Sequence, residues 1–505
     1  MTFKFKPAVL AVVASTAASF AANAASPTLY GGGATFPAIA YVGPSWESQS
    51  PQARLSKPAD SGSLFGAYTA RTGGAPAAGF PMVSYCQTGS GAGVKVLNGV
   101  LLATGSCSDY GTGSPAPAGF SGANSEPDFV ASDSPLTSTD YNTFMGAKHA
   151  AHNEPVQMPS VAGTVAIVYR NDSITAAKIN LTESQICSIF SGAVTNWHQL
   201  STAYKSKQIK VIFRRDSSGT SFGFTNHLSS VCPTAEPVAQ VDVFNTTKQF
   251  LPDNSTTGDG EQPTPGATTS GTAFLANAVP ASPAVFLGYS GNGGVVNGVA
   301  ATDGAIGYAE AADVIARENA GGASVKHATV SLKPDVDSTH KYSKYDPISK
   351  AVTYALPSGS VLTDEIISGN DSHGRPVLKM ITDATSGVSS GNYPSQADCV
   401  VIVDPSGYAT AATHVNGAGL TDYVGYPINI VTYLMTYNTG NGADASNVYN
   451  LMYAPYYNGV QADSSKFRSS VTTIGANTGF AYLAGVTLPS PNTTAQTHLK
   501  ACILK

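Results

Sequence analysis

The run Phe213-Arg214-Arg215-Asp216-Ser217-Ser218-Gly219-Thr220-Ser221 packs two guanidiniums, four hydroxyls and a glycine into one short stretch. That composition suits capture of a small tetrahedral anion. Apolar residues 209–213 read as a strand and 222–228 as a helix. A turn between them leaves backbone N–H groups unpaired at the positive end of the helix dipole. A guanidinium can fork onto two anion oxygens, and from the residues alone Arg214 and Arg215 qualify equally. The same residues would also make an ordinary N-cap turn beside two surface arginines, so the rest of the chain must decide.

Three further turns carry comparable chemistry. Tyr30-Gly31-Gly32-Gly33-Ala34-Thr35-Phe36-Pro37 offers glycines that let backbone approach a ligand, plus the Thr35 hydroxyl. Gln87-Thr88-Gly89-Ser90-Gly91-Ala92-Gly93-Val94 follows the strand-like 82–85 and lacks the full dinucleotide spacing. Asp133 lies in Ala131-Ser132-Asp133-Ser134-Pro135-Leu136, where it is either an acceptor or a cap for the helix expected at 137–145. His149 and His152, with Glu154 nearby, show no third ligand at metal-binding spacing. Gly387-Val388-Ser389-Ser390-Gly391 matches a nucleophile elbow, yet residues 381–386 make a poor buried strand before it. No cofactor, metal or catalytic set is expected.

The elements that must position these turns are short strands, each running into a glycine- or serine-rich turn and a helix. Strand-like runs recur at 161–169, 303–308, 400–403 and 426–433, with helices at 182–190 and 447–453. That alternation predicts an α/β protein with parallel or mixed sheets flanked by helices. In such sheets ligands gather beyond the carboxyl ends of the strands, where these turns fall. With 505 residues the chain is long enough for two lobes. Residues 48–81, 233–282 and 318–395 read as loop-rich insertions.

Lys4 and Lys6 precede an apolar run that ends in Ala22-Asn23-Ala24, so residues 1–24 are expected to be a signal peptide. Their loss moves the net charge from −5 to −7, and with 12% charged residues the chain does not suit nucleic acid. No later run is long enough for a membrane span. Export together with six cysteines suggests three disulfides. Sequential pairing closes the shortest loops: Cys86–Cys107, Cys187–Cys232 and Cys399–Cys502.

Five motifs in order carry a resemblance: Gly33-Ala34-Thr35-Phe36-Pro37, Gly89-Ser90-Gly91-Ala92-Gly93-Val94, Ala131 to Leu136, Arg214 to Ser221, and Gly304-Ala305-Ile306-Gly307-Tyr308. The set resembles the phosphate-binding protein of the bacterial phosphate ABC transporter, closest to its secreted, disulfide-containing DING-type branch. The glycine triplet 31–33 and the Cys187…Cys232 spacing point to that branch, while Leu29-Tyr30 replaces its naming motif. The resemblance implies a two-lobed periplasmic-binding-protein fold (class II) with the ligand cleft between lobes. Lobe 1 would comprise 25–157 plus 429–505 and lobe 2 residues 158–428, with Tyr426-Pro427-Ile428 as the return crossing. It implies phosphate contacts from Thr35 and Phe36 backbone, Ser90, Asp133, Arg214, Ser218, Gly219 and Thr220. Ala34 and Asp216 support them, and Arg215 is not a contact. The implied protein is a monomeric, non-enzymatic phosphate carrier, periplasmic or secreted, with an ABC transporter permease as candidate partner. A secreted phosphatase and an extracellular scaffold with a phosphate site are the alternatives.

Overall fold

A computed structural model describes residues 28–43, 63–65, 81–100, 126–176, 178–214, 218–232, 285–289, 291–319, 325–331, 367–370, 376–378, 399–403, 413–415, 421–423, 426–456, 480–482 and 495–503. Residues 1–24, the insertion at 233–282, Cys107, Arg215, Asp216 and the 387–391 run lie outside them, as does most of 318–395.

The longest strand organises the rest. β4 (Pro155–Tyr169) is buried along its whole length. Its start lies six residues before the expected 161, because residues 155–164 pair antiparallel with β8 (Asn429–Tyr437). Residues 165–169 pair instead with β7 (Ala305–Glu310). β4 therefore belongs to two halves of one ten-stranded sheet, in whose main order the strands 82–86, 28–33 and 129–132 are followed by β8, β4 and β7 and then by the strands 210–214 and 285–289. On one side lie β1 (Thr28–Gly33), β2 (Met82–Cys86) and β3 (Phe129–Ser132), mutually parallel around β1. On the other lie β5 (Lys210–Arg214) and β6 (Val285–Tyr289), parallel to each other and to β7. This is a mixed α/β architecture of two lobes. Next to Val165 the segment leading into β8 is pinned to β4: the Tyr426 hydroxyl donates to the Val165 carbonyl at 2.7 Å, and the Val165 N–H donates to the Ile428 carbonyl at 3.0 Å.

Four strands run directly into helices, which places the helix starts beyond the strands' carboxyl ends. The helices are α1 (Ala38–Val42) after β1, α2 (Ser90–Leu97) after β2, α5 (Gly219–Val231) after β5 and α6 (Gly291–Ala301) after β6. Between them come α3 (Ser138–Ala147) and α4 (Glu183–Phe190), each opened by a threonine capping box, Thr137 with Asp140 and Thr182 with Gln185. α5 begins three residues before the expected 222, because Ser218 caps it by accepting from the Ser221 N–H at 3.1 Å. In the run 400–403, Val400 forms an isolated bridge to Gln157 rather than part of a full strand.

Cys187–Cys232 ties α4 to the end of α5, and Cys399–Cys502 ties the bridge segment to the helix Ala495–Ile503. Both are among the expected pairs. Cys86 is disulfide-bonded too, and its expected partner Cys107 lies outside the described residues.

Candidate anion site between the lobes

Lobe 1 contributes three turns that brace one another. Gly33 has φ +122, and a Cβ there would lie 2.1 Å from the Ala131 carbonyl oxygen, so only glycine fits. The Gly89 N–H donates to the Gly33 carbonyl at 2.7 Å, and the Ala34 N–H to the Ala131 carbonyl at 2.8 Å. The Ala34 carbonyl accepts from the Tyr85 hydroxyl at 2.6 Å. Ala34 is thus a strut between the turns. Phe36 is buried, with its ring edge-on to Phe480 at 5.9 Å.

Asp133 stands where β3 ends. Its carboxylate accepts from the Thr432 hydroxyl at 2.8 Å and the Ser90 hydroxyl at 3.3 Å, while its N–H donates to the Ser90 oxygen at 3.2 Å. The register Tyr433↔Ser132 makes Thr432 the residue facing it. Since Thr137 caps α3, Asp133 is not that helix's cap. Burial pushes the Asp133 carboxyl up to about 7, against the pull of Thr432, Arg214, Ser90 and Thr220.

Lobe 2 brings Arg214, Ser218, Gly219 and Thr220 against this acid. Arg214 is only 1% exposed, one of the largest fully buried side chains. Its Nη1 donates to Thr220 Oγ1 and to Asn292 Oδ1, each at 3.3 Å. Thr220 stands between this guanidinium and the Asp133 carboxyl, and both Thr220 and Arg214 pull that carboxyl's proton affinity down. Gly219 is the point of closest approach: a Cβ there would lie 2.6 Å from Ser90 Oγ and from Asp133 Cβ. The structure therefore brings Thr35, Ser90, Asp133, Arg214, Ser218, Gly219 and Thr220 into one buried region, at or just beyond the carboxyl ends of strands. Asp216 and Arg215 lie outside the described residues.

Residues not singled out in the sequence also belong here. Asn292, in the first turn of α6, links Arg214, Thr220 and Thr35. The Gly291-Asn292-Gly293-Gly294 turn after a strand was its only local signal. Thr432 orients Asp133, and the Tyr308 hydroxyl accepts from the Arg214 N–H at 3.1 Å while bonding the Ser221 hydroxyl. Chemically the region holds one buried cation, several hydroxyls, helix starts and one acceptor acid, which suits a small protonated anion.

The histidine cluster stands apart. His152 Nδ1 bonds the Thr439 carbonyl at 2.9 Å and its Nε2 lies 3.2 Å from Glu126. Among the described residues no group of three or more His, Cys, Asp or Glu is placed to hold a metal ion. Among them, too, no helix is long and apolar enough to cross a membrane.

Two sheet halves sharing a crossing strand, with helix starts meeting in the cleft between them, define the two-lobed periplasmic-binding-protein class of fold. A family description, "PBP superfamily domain", matches residues 71–362, more than half of the chain, and the chain belongs to that superfamily. Two solved structures share the fold over 94% of this chain and 98% of theirs at 21% identity: a DING protein, TM-score 0.53, and a high-affinity periplasmic phosphate-binding protein with phosphate bound, TM-score 0.51. In sequence the chain is 36% identical over 151 residues to alkaline phosphatase L of Pseudomonas aeruginosa, covering 30% of this chain and 36% of that one. It is 33% identical over 111 residues to the phosphate-binding protein PstS of Pasteurella multocida, covering 21% of this chain and 30% of that one. The match thus spans about a third of the length of these relatives. The proteins it is similar to thus include a PstS protein and a DING protein, the kinds its motif order resembles.

Proposed function

We propose that this protein captures inorganic phosphate between its lobes, without chemistry of its own, and serves phosphate uptake as an exported periplasmic or secreted protein. The single observation that carries the reading is that Arg214, a buried cation, and Asp133, a buried acceptor acid, are brought together from two lobes at the Gly219–Thr220 turn. Arg214 would neutralise the anion, the Thr35 and Thr220 hydroxyls would donate to its oxygens, and the Ser90 hydroxyl would turn its proton from Asp133 to the ligand. The first-turn N–H groups of α5, with Ser218 and Gly219, and the backbone of Thr35 and Phe36 would add further donors. Asp133 would accept the proton that phosphate still carries at neutral pH. We divide the chain into lobe 1, 25–157 plus 429–505, and lobe 2, 158–428, with β4 running across the boundary. Closure by hinge motion at the two crossings would seal the ligand from water. An ABC transporter permease is the partner this reading implies, with the carrier a monomer.

Calorimetric titration of the protein with phosphate, sulfate and arsenate tests the reading. Saturable one-to-one binding of phosphate supports it, and a flat phosphate titration refutes it. A hydrolase is the second reading, favoured by the name of the Pseudomonas aeruginosa relative. Turnover of p-nitrophenyl phosphate by the same sample would establish it instead.

A further inference from the structure

Asn292 is fully buried, at 0% exposure, and three of its polar groups each meet a different residue of the candidate site. Its Oδ1 accepts from Arg214 Nη1 at 3.3 Å, its Nδ2 donates to Thr220 Oγ1 at 3.4 Å, and its backbone N–H donates to Thr35 Oγ1 at 3.3 Å. Thr35 belongs to the β1 turn of one lobe, whereas Arg214, Thr220 and Asn292 belong to β5, α5 and α6 of the other. We propose that Asn292 is a positioning residue of the anion site, which sets the plane of the Arg214 guanidinium and ties it to the opposite lobe through Thr35. The inference rests on the phosphate reading above.

The chemistry asks for an amide at this position. A guanidinium recognises an oxyanion through a planar fork, so its value depends on how its plane is held. Only a side chain with both an acceptor and a donor can accept a hydrogen bond from Arg214 while donating one to Thr220, and the amide does so without charge. A carboxylate here would neutralise Arg214 and repel the ligand. The backbone bond has its own consequence. Because Thr35 Oγ1 accepts from the Asn292 N–H, the threonine proton is left to point at a ligand oxygen. Asn292 thereby prepares one cation and one hydroxyl, from two lobes, for the same anion.

The test is phosphate titration of five proteins: wild type, Asn292→Ala, the nearly isosteric Asn292→Asp, Arg214→Lys, and Asn292→Ala combined with Arg214→Lys. Melting of each protein without ligand accompanies the titrations. We expect Asn292→Ala to weaken phosphate binding roughly tenfold or more, the scale of one hydrogen bond to a charged group. Asn292→Asp should lose more than the alanine variant while melting close to wild type, since it keeps shape and adds a like charge. In the Arg214→Lys background, whose ammonium cannot fork, the alanine change should cost only a small fraction of its wild-type effect. A wild-type protein that ignores phosphate overturns the phosphate reading and this inference with it. Wild-type binding with Asn292→Ala unchanged overturns the inference alone. An equal loss in both backgrounds does too, because a residue acting through Arg214 cannot cost the same without the fork.

Discussion

Gly219→Ala probes whether the closed cleft is the state that holds the anion. A Cβ at Gly219 would lie 2.6 Å from Asp133 Cβ, 2.9 Å from Asp133 Cα and 2.6 Å from Ser90 Oγ. Non-bonded carbons settle at about 3.5–4.0 Å, so the methyl overlaps its neighbours by about 1 Å. The Ser90 hydroxyl could swing aside, but Asp133 Cβ and Cα are fixed to the main chain just past β3, where Thr432 and Ser90 hold the residue, and cannot move as a side-chain tip would. Forcing an extra methyl into such a contact costs about 1–3 kcal/mol, which converts to roughly 5- to 150-fold weaker binding. Folding should be spared, for two reasons. Gly219 is not in the left-handed backbone region, and it opens α5, where alanine is a good helix former. Opening of the lobes also relieves the overlap when no ligand is present. Phosphate calorimetry beside ligand-free melting should therefore show lost affinity with a melting temperature at or above that of wild type. Full affinity in the alanine variant would mean that Gly219 and Asp133 are not in contact in the bound state, and the closed geometry would have to be abandoned.

Asp133→Asn should weaken phosphate binding and narrow the preference for phosphate over sulfate, because an amide donates to either anion whereas a carboxylate accepts only from the protonated one; equal discrimination in paired titrations would return Asp133 to a structural role. The same acid, raised by burial to about 7 from its ordinary 3.8, keeps its proton in the fold over a pH window where the unfolded chain has released it. Ligand-free wild type should consequently lose stability relative to Asp133→Asn as pH rises from about 4 to 7, and parallel denaturation curves for the two proteins would contradict this. Arg214→Ala should cost about 2–5 kcal/mol of phosphate binding, since a buried charge loses its partner, and Arg215→Ala far less; equal titration losses would place the turn one residue out of register. Peptide mapping without reductant should recover Cys187–Cys232 and Cys399–Cys502 together with Cys86–Cys107, and a Cys86–Cys399 link would break the scheme. Removing Cys187–Cys232, which closes a loop of 45 residues, should lower stability by about 4 kcal/mol in denaturant titrations.

What the chain states on its own is local chemistry. Ser218-Gly219-Thr220 after a strand, Gly33 before Thr35 and Gly89 before Ser90 are turns written in consecutive residues, because a strand end, a glycine and a hydroxyl cap are nearest-neighbour devices. The α/β class followed from the same alternation. Even there the ends were blurred: α5 starts at Gly219 because of one hydroxyl bond from Ser218, which apolar spacing does not report. The partners across the sheet were not legible at all. Thr432 reaches Asp133 over 299 residues, through the pairing of β8 with β3, and no local pattern marks which threonine of a buried strand will face an acid. Asn292 meets Thr35 over 257 residues, only because β6 runs parallel beside β5 and carries α6 into the cleft. The raised proton affinity of Asp133 likewise belongs to no segment. It arises from excluding water on all sides of one carboxyl, and that exclusion exists only once both lobes have folded against it.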